Sequence, residues 1–302
     1  MEIMSLAPVL LFTYKKVAPV KKTLEALKCN FMAKESDLII FSDGAKNESD
    51  AKEVSEVRAF LYTINGFKSV EIYESVSNKG LANSIIEGVT QIIATHNKVI
   101  VLEDDLVTSP NFLNFMNEAL NEFVSNNQVH SVSGYTMPIN PPKGYIYDSY
   151  FTRRASSWGW ATWKNRWEEV DWQVKVYNGF KGNTSLRKKF NAMGSDLSSM
   201  LDQQMQGKIS SWAIRWCFDQ FLKNQLTVFP VVSKISNIGF GSGATHTKYS
   251  DDRFATILDT TEKTYFNFNK KVELEYHFIK QFRSKYSLRT RAVYKIKNLL
   301  GV

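Results

Sequence analysis

Lys98-Val-Ile-Val-Leu102 runs directly into Glu103-Asp104-Asp105, and this junction organises the reading of the whole chain. Val99 to Leu102 is a short apolar run, and three of its four residues are β-branched. That composition fits a strand buried in a sheet. Three acids at the end of a buried strand repel one another unless something compensates them. Upstream, Leu81 to Ala94 carries Ile85, Val89 and Ile92 at helical spacing, and downstream Pro110 to Val124 reads as a second helix. The same alternation extends to the N-terminus. Pro8 to Thr13, Asp37 to Ser42 and Ser69 to Tyr73 read as strands. Pro19 to Leu27, with Val20, Leu24 and Leu27 inward, and Ser49 to Thr63, with Val54, Val57 and Leu61 inward, read as the intervening helices. Short strands separated by helices of this length predict an α/β fold, a mostly parallel sheet with helices on both faces.

Such sheets bind ligands beyond the carboxyl ends of their strands. Here those ends are Tyr14-Lys15-Lys16, Asp43-Gly44, Glu74 and Glu103-Asp104-Asp105, so charge gathers on one edge. No glycine-rich dinucleotide fingerprint and no P-loop is present, which argues against a dehydrogenase or a P-loop nucleotide hydrolase. After His130 to Gly134, a further short strand, the alternation stops, and residues 135–302 are richer in loops and aromatics. There is no internal repeat, low-complexity tract or clear linker. One continuous domain in two functional halves is expected, divided at residue 134.

The composition is that of a globular chain: 302 residues, 43% hydrophobic and 23% charged. No apolar run approaches the ~20 residues of a membrane-spanning helix. The N-terminal apolar stretch lacks a basic leader and is interrupted by Pro8, so it reads as a strand rather than a signal peptide. Two distant cysteines, Cys29 and Cys217, make no disulfide framework or metal motif, which favours a reducing, cytoplasmic setting. The net charge of +8 is uneven. Lys280 to Val302 hold seven basic residues and no acid, leaving 31 basic and 30 acidic residues elsewhere. Leu288, Ala292, Ile296, Leu299 and Leu300 recur near helical spacing within this basic tail, residues 276–302. Two readings stand: a peripheral element on an anionic membrane, at the inner face of the plasma membrane, or a helix with its apolar side packed on the domain. The near-neutral body carries no basic stripe, so no nucleic-acid partner is expected.

Several motifs suit chemistry. Hard carboxylate oxygens at 103–105 suit Mn2+ or Mg2+ bound together with substrate phosphates; the alternative is a solvated strand-end cluster capping the helix at Pro110. Along an extended backbone Glu103 and Asp105 would share a face and Asp104 the other. Asp43-Gly44 is either a turn or a carboxylate that accepts from a base or ribose. Lys15 and Lys16 are either solvated or near a diphosphate. Asn78, before Lys79-Gly80, reads as a helix cap at an end that also suits anions. Ser156 to Trp167 holds four of the seven tryptophans, including Trp158 and Trp160, as stacking faces or as core. Asp219 shares a helix with Trp212 and Trp216 and is a candidate general base. Gly239 to His246 is either a surface loop or one that orders over bound nucleotide, with His246 near the metal or phosphate.

Taken in order, these segments carry a resemblance. Pro8-Val-Leu-Leu-Phe-Thr-Tyr-Lys-Lys16 followed by Lys21-Lys-Thr-Leu-Glu-Ala-Leu27 resembles the opening of family 2-type glycosyltransferases. Leu38-Ile-Ile-Phe-Ser-Asp-Gly44, Asn78-Lys-Gly-Leu-Ala-Asn83 and Leu102-Glu-Asp-Asp-Leu106 follow in the expected order. Glu103 to Phe112 and Trp216 to His246 look like the Golgi N-acetylglucosaminyltransferases that initiate complex N-glycans. The likeness covers most of residues 6–247, most weakly between 135 and 210.

The resemblance implies a GT-A fold, with residues 1–134 the nucleotide-sugar half and 135–275 the acceptor and catalytic half. It implies an inverting, metal-dependent transferase that uses a nucleotide sugar, a UDP-sugar first, and a glycan or lipid-linked saccharide acceptor. The metal would be Mn2+ or Mg2+. By motif, Asp43 would contact the base, Lys16 the diphosphate, Asp105 the metal, and Glu103 and Asp104 the ribose and sugar, with Asp219 as base. The chain departs from the family at Asp219-Gln220, where relatives carry adjacent acids, and at Tyr14-Lys15-Lys16, where relatives often have Asn-Arg. Without a secretion signal, surface-polysaccharide assembly is the expected setting. Two other readings are a sugar nucleotidyltransferase, which would want a glycine-rich loop after the first strand, and a non-catalytic glycan- or nucleotide-binding protein.

Overall fold

A computed structural model describes residues 5–239 and 254–300. The N-terminal half alternates as expected: β1 (Val9–Thr13), α1 (Val17–Lys28), β2 (Asp37–Ser42), α2 (Glu48–Leu61), β3 (Ser69–Glu74), α3 (Leu81–His96) and β4 (Lys98–Glu103). A short β5 (Leu106–Thr108), α4 (Phe112–Glu122) and β6 (Val129–Ser133) follow. Beyond residue 134 the chain adds β7 (Ser149–Thr152), β8 (Trp160–Trp163), α5 (Lys164–Trp167), α6 (Tyr177–Lys181), α7 (Thr184–Phe190), α8 (Leu197–Met205) and α9 (Trp212–Leu222). It continues with β9 (Leu226–Pro230), β10 (Ile235–Asn237), α10 (Tyr276–Lys285) and α11 (Leu288–Leu300).

Eight strands form one sheet in the order β3-β2-β1-β4-β8-β6-β9-β7, and β5 pairs with β10 in a small second sheet. β3, β2, β1 and β4 are parallel. β8 enters antiparallel between β4 and β6, β9 runs parallel to β6, and β7 closes the sheet antiparallel to β9. The alternation therefore ends at residue 134 but the sheet does not. The later strands escape a periodicity reading because they are only four or five residues long and their sequences, such as Trp160-Ala-Thr-Trp163, pass for an aromatic cluster.

Successive residues of a strand point to opposite faces, and both faces of this sheet are covered. Val9, Leu11, Leu38, Ile40, Ile100 and Leu102 belong to a core shared with Val20 and Leu24 of α1, Val57 of α2 and Phe115 of α4. Their alternates Leu10, Phe12, Ile39, Val99 and Val101 pack with Ile85, Val89 and Ile92 of α3 and with Trp160, Trp167, Trp212 and Trp216. A third cluster, including Phe180, Phe190, Leu201 and Phe218, binds α6 to α9 together.

The segment after residue 254 straps back over the sheet. The fully engaged pair Lys234–Asp259 is buried, Asn111 Nδ2 donates to Asp259 at 3.1 Å, and Ser233 bridges Leu258. Phe278 of α10 then stacks on Tyr150 at 4.4 Å. Among the described residues no helix is long and apolar enough to cross a membrane.

Candidate active site at the carboxyl edge of the sheet

Strand order reverses at β1: its chain successor β2 lies on one side and β4 on the other. A crevice outside the carboxyl ends at such a switch point is where open α/β sheets take ligands. The residues there are Tyr14-Lys15-Lys16 after β1 and Glu103-Asp104-Asp105 at the end of β4. The extended backbone stops at Glu103, and Asp104 and Asp105 form a turn before β5. The alternating-face expectation for the three acids therefore fails. They do not cap the helix after Pro110 either, since Asn111 is the N-cap residue of α4 and no side chain caps it.

The turn is held from both sides. Tyr14 N–H donates to Asp104 Oδ2 at 3.1 Å, Thr23 Oγ1 donates to the Asp104 carbonyl at 3.0 Å, and Ile238 N–H donates to the Asp105 carbonyl at 2.9 Å. Burial, with Asp105 and then Asp104 beside it, drives the Glu103 carboxyl well above the usual range. Asp104 is pushed up to about 7, first by burial and then by Asp105, against the pull of the Tyr14 N–H and the Lys16 charge. Burial and mutual repulsion thus favour the neutral forms of Glu103 and Asp104 in the empty protein. Gly239 backs onto Asp105 so closely that a methyl group there would collide with the Asp105 carboxylate.

Lys15 is committed elsewhere: its Nζ contacts Asp50 Oδ1 at 2.5 Å and Glu53 Oε2 at 3.1 Å, and Tyr14 Oη donates to Asp50 Oδ2 at 2.7 Å. Anchoring Tyr14 and Lys15 to α2 fixes the turn from which Lys16 opens α1. α1 starts without a side-chain cap, and so does α3 behind Gly80. Both helix N-termini follow strands whose carboxyl ends form this edge, and helix N-termini favour anions.

Asp43 sits 8% exposed at the end of β2 and accepts four N–H groups. Gly44 N–H and Lys79 N–H, both 2.9 Å away, reach Oδ1, while Gly80 N–H and Asn78 Nδ2, both at 3.0 Å, reach Oδ2. A carboxylate has about four acceptor sites, so Asp43 is saturated as a clamp between β2 and the start of α3. Asn78 is part of that clamp, donating also to the Gly44 carbonyl at 2.9 Å, and Gly80 rather than Asn78 is the helix cap. Lys79 Nζ pairs with Glu87 on the surface at 2.6 Å. Arg58, which the sequence did not single out, staples the same ends. Its Nη2 donates to the Ser75 carbonyl at 2.7 Å and its Nη1 meets Glu74 at 3.2 Å.

Beyond the carboxyl ends of β6 and β9 and the start of β8 lies a cavity of about 310 Å3. Tyr135, Trp158, Phe254 and Tyr286 line it, with Arg154 and Asp196. Trp158 meets Tyr135 edge-on at 4.5 Å. Arg154 grips Asp196 through two bonds of 2.8 and 2.9 Å and lies 3.8 Å from the Tyr286 ring centroid. The Asp196 carboxyl is partly buried, yet Arg154 holds it below the usual range. Neither residue was legible as a site in the sequence, because 42 positions separate the partners and neither falls in a motif.

Two expectations are corrected. Trp160 offers no stacking face: it is 0% exposed and packs on Trp167, Trp212 and Trp216. Asp219 is not beside the acids. It lies near the end of α9, just before β9, at the amino edge, with Lys223 Nζ at 2.9 Å and His130 Nε2 at 3.5 Å. Thr162 Oγ1 donates to the His130 carbonyl, and Thr162 pairs with Val99. That level is four residues below Glu103, roughly 13 Å along the strand. Earlier residues of the same helix, Ala213, Ile214 and Cys217, line the cavity described above, and Asp219 does not. His246 lies outside the described residues.

Among the described residues no group of three or more His, Cys, Asp or Glu side chains converges as a metal cage. The donor chemistry still fits a hard cation of the Mg2+ type, which commonly takes one or two carboxylates and completes its shell with substrate phosphate.

Three solved structures resemble the chain at low identity. They are the mannosyltransferase PcManGT from Pyrobaculum calidifontis in complex with GDP-Man and Mn2+ (11% identity, TM-score 0.37, 56% of this chain and 48% of that one), S. aureus TarS (10%, 0.41, 78% and 37%) and S. aureus TarS 1-349 (8%, 0.38, 76% and 59%). The chain thus spans less than two thirds of each. No family model and no curated protein matches it.

Proposed function

We propose that this chain is a metal-dependent glycosyltransferase. It would move a sugar from a nucleotide sugar, a UDP-sugar first, to a glycan or lipid-linked saccharide acceptor in surface-polysaccharide assembly. The observation that carries the reading is the Glu103-Asp104-Asp105 cluster at the switch point of the sheet, where burial and mutual repulsion drive Glu103 and Asp104 towards protonation, beside Lys16 and two uncapped helix N-termini. A divalent cation would relieve the repulsion among the acids, and an anionic leaving group would suit the helix N-termini. The order of motifs along residues 6–247 supports the same reading.

Asp105 would hold Mn2+ or Mg2+, which would neutralise charge on the departing diphosphate. Lys16 and the start of α1 would stabilise the same charge from the protein side. The Asp43 clamp would fix the floor on which the base and ribose rest, with Glu103 and Asp104 towards the ribose and sugar. Trp158 and Tyr135 would present apolar faces to the acceptor sugar in the cavity. Inversion needs one base for the acceptor hydroxyl. With Asp219 outside the cavity lining, Asp196 takes that role: Arg154 keeps it ionised, and each oxygen retains a lone pair beyond the Arg154 bond.

The test is thermal unfolding with UDP, GDP, CDP or dTDP, each with Mn2+ or EDTA, followed by transfer assays with the sugars of the nucleotide that binds. A Mn2+-dependent shift with one nucleotide is expected; saturation at about 100 times Kd corresponds to about 2.7 kcal/mol. The shift should vanish in Asp105→Ala. No shift with any nucleotide would overturn the reading, and binding without turnover on a broad acceptor panel would favour a non-catalytic binding protein.

A further inference from the structure

We propose that α11 is a docking helix for an anionic lipid bilayer. Its orientation is the key observation. An amphipathic helix that belongs only to its own domain turns its apolar side inward, and α11 does the reverse. Leu288, Ala292 and Ile296, one above another at four-residue spacing, and Val293 beside them face outward. Leu288, Val293 and Ile296 are 71%, 45% and 55% exposed. The polar side faces the protein: Arg291 Nη1 donates to Ser195 Oγ at 3.0 Å, and Thr290 Oγ1 donates to the Ser284 carbonyl at 2.7 Å. The reading in which the apolar side packs on the domain is thereby excluded for these residues.

Charge identifies the occupant. Arg289, Lys295 and Lys297 are exposed around the stripe, and no acid occurs from Lys280 to Val302. An apolar stripe rimmed by cations suits the headgroup region of an anionic leaflet, where the stripe enters the acyl boundary and the lysines and arginines remain among phosphates. A second copy fits poorly. A two-fold contact across this face would set the basic rims of the two helices against each other. This docking stands apart from the transferase reading. The two meet at one point, since Tyr286 and Arg291 also line the cavity.

The test uses the full chain with phosphatidylcholine vesicles, with and without phosphatidylglycerol, read by co-sedimentation at low and high salt. Binding is expected only to the anionic vesicles and should weaken with salt. The double variant Val293→Asp/Ile296→Asp should lower partitioning by about tenfold or more, with wild-type thermal unfolding because both side chains are exposed. The triple variant Arg289→Gln/Lys295→Gln/Lys297→Gln should lose the preference for anionic lipid. Three results would overturn the proposal. One is no binding, or equal binding, of the wild type to the two vesicle types. Another is a double variant that binds like the wild type. The third is a concentration-dependent dimer in light scattering that the double variant abolishes while vesicle binding is absent. Nucleotide-induced stabilisation in the vesicle-free protein reports separately on the transferase reading.

Discussion

The two edges of the central sheet treat buried acids in opposite ways. At the amino edge Asp219 is 6% exposed, and the Lys223 ammonium stands 2.9 Å from it, with the buried His130 ring alongside. At the carboxyl edge Glu103, Asp104 and Asp105 stand against each other, and two of them are driven towards protonation. An acid near aromatics is common to both edges and identifies neither as a site. What separates them is the neighbour: a lysine stands beside Asp219, and further acids stand beside Glu103 and Asp104.

The contrast can be broken most decisively at Asp105. Asp105→Ala should reduce sugar transfer by about 100-fold or more, with thermal unfolding in EDTA at or above wild type because a repulsive charge is gone. Asp219→Asn should leave transfer within about threefold of wild type, since the residue does not line the cavity and faces Lys223 and His130. A large loss of transfer in Asp219→Asn, with the fold intact, would return the base to α9 and undo the comparison.

The tryptophans sharpen it next. Trp160→Ala should destabilise by about 3–5 kcal/mol in urea unfolding, because it empties the centre of the Trp cluster. Trp158→Ala should cost about 1 kcal/mol of stability while raising the acceptor KM, because the side chain is half-buried on the cavity wall. Equal stability losses would mean that both are core.

The smallest effect is in pH. Asp104, raised to about 7 from 3.8, binds its proton more tightly in the folded state. Its contribution is complete below the unfolded value and disappears as pH rises through about 7. His130 is lowered from 6.5, chiefly by burial, so it contributes fully above 6.5 and loses that contribution as pH falls. In EDTA the two contributions should therefore oppose each other on the acid side of neutrality: that of Asp104 falls as pH rises from 3.8 to about 7, while that of His130 grows as pH rises towards 6.5. Asp104→Asn should remove the fall and His130→Gln the growth, both read as melting temperature against pH.

Much of the fold was legible because the first half obeys simple periods. Asp37–Ser42 matches its strand residue for residue, and Leu81 starts its helix where Ile85, Val89 and Ile92 require. The site was legible where it is local. A buried strand ending in three acids is visible in one dimension, and so is a lysine at the end of β1. What escaped was set by distant contacts. The Arg154–Asp196 pair joins a loop to a helix start, and Arg58 reaches from α2 to two strand ends. Asp219 misled because a helix carrying Trp and Asp does not reveal which end of the sheet its last turn meets. The strand β9 that follows settles this, and its neighbours are known only from the pairing.

The clamp at Asp43, with Arg58 behind it, has a kinetic consequence. Four N–H groups and a guanidinium already hold the ends of β2 and β3 and the start of α3, so this side of the crevice is ordered before any ligand arrives. Under the proposed function a nucleoside would meet a fixed shape rather than a closing movement, and the amides of Gly44, Lys79 and Gly80 should exchange with deuterium as slowly in the empty protein as in the filled one.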